Sequence, residues 1–280
     1  MWQLGWVAAN DGNVSVKLPY GNFMATPTGI SKSFITPEKL VIINENGEVI
    51  EGEEGYKPSS EIKMHLCCYK EREDVGAVVH AHPPTATGYA IAGKSLDEYS
   101  MIETVIAIGS IPLTPYGTPS TNEVPEAITP YLKEHDVFLL QNHGALTVGC
   151  NLITAYYRME TLELFAIISL TAHLLGGAKE IEKPQIDKLL DLRENYYKVT
   201  GKHPGYKHYN DKKQYFYHYI LMFKCNIMTL IESCDYVYEL QLLLMLIPTC
   251  LILTYFYRIW HNIGTVLLLT IIVYHVNLYL

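Results

Sequence analysis

The chain is poor in cysteine and has no regular cysteine framework. Its 280 residues include 6 cysteines, and no two of them form a Cys-x-x-Cys pair. A chain of this size without such a framework is typical of a reducing compartment rather than of a small disulfide-stapled secreted domain. The first ten residues carry no charge and form no basic, apolar leader segment. We therefore expect a cytoplasmic protein.

Basic residues are also scarce. Lys and Arg number 21 against 29 Asp and Glu, which gives a net charge of -8 at pH 7. The excess of acidic residues lies in the first 200 positions, which contain 15 Lys and Arg against 25 Asp and Glu. Binding to a phosphate backbone requires a basic patch or stripe. Nucleic acid is therefore not an expected partner.

Residues 201–280 are poor in glycine and contain two long uncharged spans. They contain 3 of the 19 glycines but 11 of the 22 tyrosines, and the spans 240–257 and 259–280 contain no Asp, Glu, Lys or Arg. Each span is long enough to cross a bilayer, so one interpretation is a membrane hairpin that anchors the protein. A second is a spurious tail translated out of frame, which the richness in Tyr, Ile, Leu and Asn favours, and a third is a packed extension. We treat 201–280 as a hydrophobic tail that is separate from the domain 1–200.

Within the first 200 residues, predicted strands and helices alternate, but several strands are joined by hairpins. This combination favours an α/β fold in which helices cover a mixed sheet rather than a purely parallel one. Residues 2–9 have the pattern of the end of a helix. The other predicted helices are 59–71, 85–92, 123–133, 153–175 and 182–198, and the predicted strands are 14–18, 23–26, 41–44, 48–51, 75–82, 105–112 and 137–140.

The apolar strand 75–82 ends in two histidines, His80 and His82. Side chains two residues apart on a strand point to the same face, so these imidazoles converge and provide half of a metal site. His143 follows the apolar strand 137–140 and adds a third imidazole at a strand end. Glu61, at a predicted helix start, would complete a divalent-metal sphere, although a carboxylate there can simply favour the helix dipole. His65, His135 and His173 are expected to be ordinary core or surface histidines.

Two glycine turns and a serine pair indicate a second site for an anion. Hydroxyls and backbone N–H groups at a helix N-terminus bind anions, and glycine lets the backbone approach phosphate oxygens. Taken alone, each turn is more often only a turn. The residues concerned are Gly12, Asn13, Thr28, Gly29, Ser59 and Ser60.

These elements together resemble the class II aldolase/adducin family, and most closely its L-fuculose-phosphate aldolase type. The matching phrases, in the family's order, are 12–16 (Gly-Asn-Val-Ser-Val), 26–30 (Thr-Pro-Thr-Gly-Ile), 59–61 (Ser-Ser-Glu), 78–82 (Val-Val-His-Ala-His) and 141–144 (Gln-Asn-His-Gly). The resemblance covers about the first 200 residues. It implies a full helix before Gly12, so the first helix is expected to be truncated in the domain 1–200.

The resemblance implies a three-layer α/β/α fold with a central mixed, largely antiparallel sheet, and a homotetramer. It implies a Zn²⁺ ion held by His80, His82 and His143, with Glu61 both as a ligand and as the acid/base. Gly12, Asn13, Thr28, Gly29, Ser59 and Ser60 would bind the substrate phosphate. The implied reaction cleaves a ketose 1-phosphate to dihydroxyacetone phosphate and an aldehyde.

Other outcomes within the family stay open. The 4-epimerase branch carries aspartate where Glu61 stands, which favours aldol chemistry here, but decarboxylase and dehydratase members share the fold. A catalytic tyrosine of the aldolase type is expected near 99–103, and no residue there matches it clearly. The remaining alternatives are a phosphosugar-binding protein without turnover, tethered to a membrane if the tail is genuine, and the product of a damaged gene.

Overall fold

The computed structural model describes residues 1–209. The predicted membrane hairpin at 240–280, and all of the predicted tail 201–280 beyond residue 209, lie outside the described residues. Among residues 1–209, no helix combines the length and apolar character needed to cross a bilayer.

A single eight-stranded sheet organises residues 1–209, in the order β4-β3-β2-β1-β5-β8-β7-β6. Neighbouring strands are antiparallel except for β6 and β7, which are parallel. The sheet is therefore mixed and largely antiparallel, as predicted. The strands are β1 Asn13–Lys17, β2 Phe23–Ala25, β3 Val41–Ile43, β4 Val49–Glu51, β5 Ala77–Ala81, β6 Leu113–Thr114, β7 Val137–Leu140 and β8 Gly144–Gly149.

Helices cover both faces of the sheet and complete the three layers. They are α1 Ile62–Glu71, α2 Pro84–Ile91, α3 Ile102–Ala107, α4 Glu123–Leu132, α5 Leu152–Leu174 and α6 Lys183–Asp191, the last followed by a π-helical turn, Leu192–Tyr197. Alternate residues of β5 point to opposite faces: Val79 packs in the core with α2 and α5, whereas Val78 packs in the core with α1 and α4. Both faces of the central strands are thus buried.

Two predicted elements are wrong, and two strands are not among those predicted. Residues 2–9 form turns rather than a helix end, because Gly5 takes a positive φ of 72° that interrupts a helix. The predicted strand 105–112 begins instead as α3, since Val105 packs with Ile186 of α6 and Gly109, with φ 69°, ends the helix. Tertiary packing here outweighs the β propensity of a β-branched run. The unpredicted strands are β6, which follows the end of the predicted strand 105–112, and β8, which begins immediately after His143.

The chain continues to contact this body beyond residue 200. Arg158 Nη2 donates to the Thr200 carbonyl at 2.6 Å, and His203 Nε2 donates to the Val105 carbonyl at 2.7 Å. The hydroxyl of Tyr99 donates to the Gly205 carbonyl at 2.5 Å. The predicted domain boundary at 200 stays a prediction, although these contacts extend the packed chain past it.

Candidate metal centre

His80 lies on the central strand β5, between β1 and β8. Its Nδ1 is 2.9 Å from the Ala145 carbonyl oxygen on β8. A carbonyl only accepts hydrogen bonds, so the proton of the neutral ring is on Nδ1 and the lone pair of Nε2 faces the cluster. Complete burial lowers the pKa of His80 to about 3. The ring is therefore neutral at pH 7, as a metal ligand must be.

His82 follows the end of β5 and faces His80. The two Nε2 atoms are 3.2 Å apart, and His82 Nδ1 lies 3.7 Å from Asp11 Oδ2. Gly144 makes room for this ring, because a Cβ there would lie 2.5 Å from His82 Cδ2. Burial, together with His143, lowers the pKa of His82.

The tight connection between β7 and β8 presents His143. Asn142 in this connection has a positive φ of 56°, which Asn tolerates better than most residues. His143 Nε2 lies 3.1 Å from Glu61 Oε1. A turn between two central strands thus holds the third imidazole against the carboxylate.

Glu61 directly precedes α1, and its carboxylate spans two of the histidines. Its Oε2 is 3.4 Å from His80 Nε2 and accepts a hydrogen bond from Asn13 Nδ2 at 2.9 Å. Burial opposes ionisation of Glu61, but hydrogen bonds from His143 and Asn13 and the nearby imidazoles outweigh it and hold its pKa well below the usual range. The group is a carboxylate at neutral pH.

The donor set fits a divalent cation. Ligand nitrogens of His80, His82 and His143 all lie within 4.8 Å of one another. Zn–N bonds of 2.0–2.1 Å in a tetrahedron separate two ligand nitrogens by roughly 3.3 Å, close to the observed 3.2 Å between His80 and His82. The side chains of His82 and His143 are 27% and 15% exposed, so one side of the cluster is open to small molecules.

Most residues predicted to bind phosphate lie on two adjacent segments. An isolated bridge pairs Pro27 with Pro58, and the Thr28 amide donates to the Lys57 carbonyl at 2.9 Å, which brings the turn 26–29 against 57–60. Asn13 Nδ2 donates to Ser59 Oγ at 3.1 Å and so joins this region to Glu61.

The remaining three residues of the predicted phosphate site differ in exposure. Gly29 and Ser60 are exposed. Gly12 is buried, and a Cβ there would lie 2.5 Å from Val7 Cγ1 and 3.0 Å from the His80 carbonyl oxygen. Gly12 therefore permits close packing behind the histidines, and its role toward phosphate stays a prediction.

Two residues depart from what the sequence led us to expect. His65, expected to be an ordinary histidine, is buried and lies 2.6 Å from Asn13 Oδ1, one side chain away from Glu61. Its place four residues after Glu61, one helical turn along α1, is the sequence signal that could have identified it. Tyr99, in the segment expected to hold a catalytic tyrosine, is buried, and its hydroxyl bonds to Gly205 and Lys207.

The three-layer fold carries three histidines at strand ends, and Glu61, just before α1, faces two of them. These features define a class of α/β proteins with a candidate metal centre, and sequence comparison identifies the family. The family model of the Class II Aldolase and Adducin N-terminal domain matches residues 1–170. The chain belongs to this family.

Individual relatives within the family differ in reaction. The chain is 36% identical over 171 residues to the L-fuculose phosphate aldolase of Escherichia coli (strain K12), covering 61% of this chain and 78% of the relative. It is 33% identical over 167 residues to the 3-oxo-tetronate 4-phosphate decarboxylase of the same organism, covering 58% and 77%. A solved structure of an L-fuculose 1-phosphate aldolase aligns with a TM-score of 0.63 at 28% identity, covering 69% of this chain and 90% of that chain.

Proposed function

We propose that the protein is a zinc-dependent aldolase that cleaves a ketose 1-phosphate of the L-fuculose 1-phosphate type to dihydroxyacetone phosphate and an aldehyde. The observation that carries the proposal is the convergence of three imidazoles on a carboxylate that lies 3.1 Å from His143 and 3.4 Å from His80. Breaking the carbon–carbon bond between the α and β carbons of a ketone requires an electrophile at the carbonyl and a group that moves a proton, and this cluster can supply both.

In this proposal the chain's own residues divide the work. His80, His82 and His143 hold the Zn²⁺ ion through nitrogen atoms, and Lewis-acid polarisation of a substrate carbonyl is the chemistry that zinc supplies when bound. Glu61, held ionised by its neighbours, accepts and returns the proton. Glu61 would also be a ligand in the resting site, so the same carboxylate would serve both roles.

The substrate phosphate is proposed to bind at Gly12, Asn13, Thr28, Gly29, Ser59 and Ser60. The exposure of Thr28, Gly29 and Ser60 and the contact between the segments 26–29 and 57–60 support this assignment. Exposed hydroxyls and backbone amides on adjacent turns can surround a phosphate without any basic side chain. Anchoring the phosphate there fixes the position of the reacting carbons relative to Glu61.

We further propose a homotetramer in the cytoplasm. The solvent-facing side of α5 carries apolar side chains that are 40–81% exposed, which supports burial against another subunit; they are Leu152, Ile153, Tyr157, Leu164, Ile167, Ile168, Leu170 and Leu174. Cys67, Cys68 and Cys150 are free thiols, which supports a reducing compartment. Light scattering on the purified full chain tests the assembly state.

A second candidate reaction is decarboxylation of a 3-oxo-tetronate 4-phosphate. It is favoured by a relative whose identity to this chain, 33%, is close to the 36% of the fuculose phosphate aldolase. Both reactions break the bond on the far side of the carbon next to a ketone and leave an enolate there, so the same cluster can serve either.

One experiment separates the two reactions. The zinc-loaded full chain is given L-fuculose 1-phosphate or 3-oxo-tetronate 4-phosphate, and dihydroxyacetone phosphate and CO₂ are measured. We expect dihydroxyacetone phosphate from the first substrate, abolished in Glu61→Gln and retained in Glu126→Gln, a matched change at an exposed glutamate of α4. CO₂ release without dihydroxyacetone phosphate would establish the decarboxylase. If neither product forms, both assignments are excluded.

A further inference from the structure

A ladder of polar side chains runs from the metal centre into the core between β1 and α1. Asn13 and Ser15 alternate along one face of β1, while Glu61, His65 and Tyr69 follow one another at single-turn intervals along α1. The ladder joins Glu61 to Asn13 (2.9 Å), Asn13 to His65 (2.6 Å), His65 to Ser15 (2.7 Å) and Ser15 to Tyr69 (2.8 Å). The two elements thus contribute alternate members.

The direction of every hydrogen bond in this ladder follows from its first member. An ionised carboxylate only accepts, so the Asn13 amide nitrogen must face Glu61 and the amide oxygen must face His65. His65 Nε2 must then carry the proton, which leaves Nδ1 to accept from the Ser15 hydroxyl. Because the hydroxyl proton of Ser15 is used for His65, the Tyr69 hydroxyl donates to Ser15.

Buried polar side chains destabilise the fold unless each of them has a hydrogen-bond partner. Asn13, Ser15, His65 and Tyr69 are between 1% and 5% exposed, and each has its partner within the ladder. Buried polar networks of this kind rigidify a structure when they are fully satisfied and destabilise it when they are not. Burial also lowers the pKa of His65 to about 4, so the ring is neutral at pH 7 and can both donate and accept.

Nothing in this ladder except Asn13 and Glu61 belongs to the proposed metal and phosphate sites. We infer that His65 is a positioning residue: through its Nε2 proton it fixes the orientation of the Asn13 amide, which in turn holds Glu61 and Ser59. The amide of an asparagine is nearly symmetric in shape, and only its partners decide which end faces the carboxylate. Without the His65 donor, Asn13 can turn its oxygen toward Glu61 and repel it.

The consequence for catalysis rests on the proposed function, but the inference itself is tested in the metal-free full chain. Long-range ¹H–¹⁵N NMR at pH 7.5 reports the tautomer of each histidine, and the His65 signals are identified by their loss in His65→Gln. We expect the Nε2–H tautomer for His65, and we expect Ser15→Ala to retain it because the Asn13 oxygen still accepts from Nε2. A wild-type His65 with its proton on Nδ1, or with both nitrogens protonated, would overturn the inference.

Zinc affinity, measured by chelator competition, tests the effect on Glu61. Loss of an outer-shell partner typically weakens metal binding by about 10-fold or more, and we expect this for His65→Leu. His65→Gln should restore affinity to near the wild-type value, because its amide nitrogen can donate to Asn13 from the position of Nε2. His135→Leu removes another buried histidine, away from the ladder, and should leave zinc affinity unchanged.

Equal losses of affinity in His65→Leu and His65→Gln would refute the positioning role, as would an unchanged affinity in both. If the wild-type chain binds zinc and passes both tests yet cleaves neither sugar phosphate, the proposed function fails while the inference stands. Where a substrate is found, His65→Leu should lower kcat/KM and His65→Gln should recover it.

Discussion

Replacement of Gly144 by alanine offers a sharp test of how the metal centre is built. A Cβ at this position would lie 2.5 Å from His82 Cδ2 and 2.7 Å from the Ala81 carbonyl oxygen. Ordinary contacts of this type begin near 3.4 Å, so the His82 ring or the strand end must move by roughly 1 Å, more than the ~0.5 Å that a functional constellation tolerates. Overpacking of this kind costs about 1–3 kcal/mol.

If His82 rotates out of the cluster to relieve the clash with the alanine Cβ, the protein loses free energy of metal binding. A penalty of 1–3 kcal/mol then corresponds to about 5- to 150-fold weaker zinc affinity, measurable by chelator competition. The matched control is Gly88→Ala on α2, where an added Cβ has nothing within 4 Å. Wild-type zinc affinity in Gly144→Ala, with Gly88→Ala also unchanged, would refute the claim that Gly144 makes room for a ligand.

Three further predictions concern stability and the role of Tyr99. Asp136→Asn removes the partner of two buried guanidiniums, at 2.5 and 2.7 Å, and should lower the free energy of unfolding by about 3–5 kcal/mol; denaturant titration should show almost no change for Asp187→Asn, an exposed pair with Lys183. Burial lowers the pKa of His65 and of His135 from 6.5 to about 4, so the unfolded chain binds more protons below pH 6.5 and the stability of the metal-free protein should fall from pH 6.5 towards pH 4; stability that is flat or rises on acidification would contradict this. Tyr99→Phe should increase amide exchange in residues 203–209 and leave kcat unchanged, whereas a large loss of kcat would mean that this hydroxyl acts on substrate.

The fold was predictable where local pattern and tertiary environment agree. The valine-rich run that ends at His80 and His82 is a buried central strand in both sequence and structure, and the hairpin of β3 and β4 follows from the Asn46-Gly47 turn. The strand predicted around Val105 is wrong because this β-branched run forms a helix that packs against α6. Intrinsic propensity is a weak guide where packing against a neighbouring element decides the conformation.

The candidate site divides in the same way. His80, His82 and His143 could be selected because each stands at the end of an apolar run, and the structure brings them together with Glu61. His65 has only a weak signal in the sequence, its place one helical turn after Glu61, and a histidine on the buried face of a helix is usually only packed. Its role depends on contacts with Asn13 and Ser15, which are 52 and 50 residues away in the chain and which the fold brings beside α1.

Metal analysis combined with X-ray absorption on the purified full chain tests the central claim most directly. We predict one zinc ion per chain with nitrogen and oxygen neighbours at about 2.0–2.1 Å and no sulfur. Replacing His80 with alanine should abolish retention of the ion, and replacing the buried His135 with alanine should not. Absence of bound zinc after loading, or a sulfur neighbour near 2.3 Å, would contradict a centre built from His80, His82, His143 and Glu61.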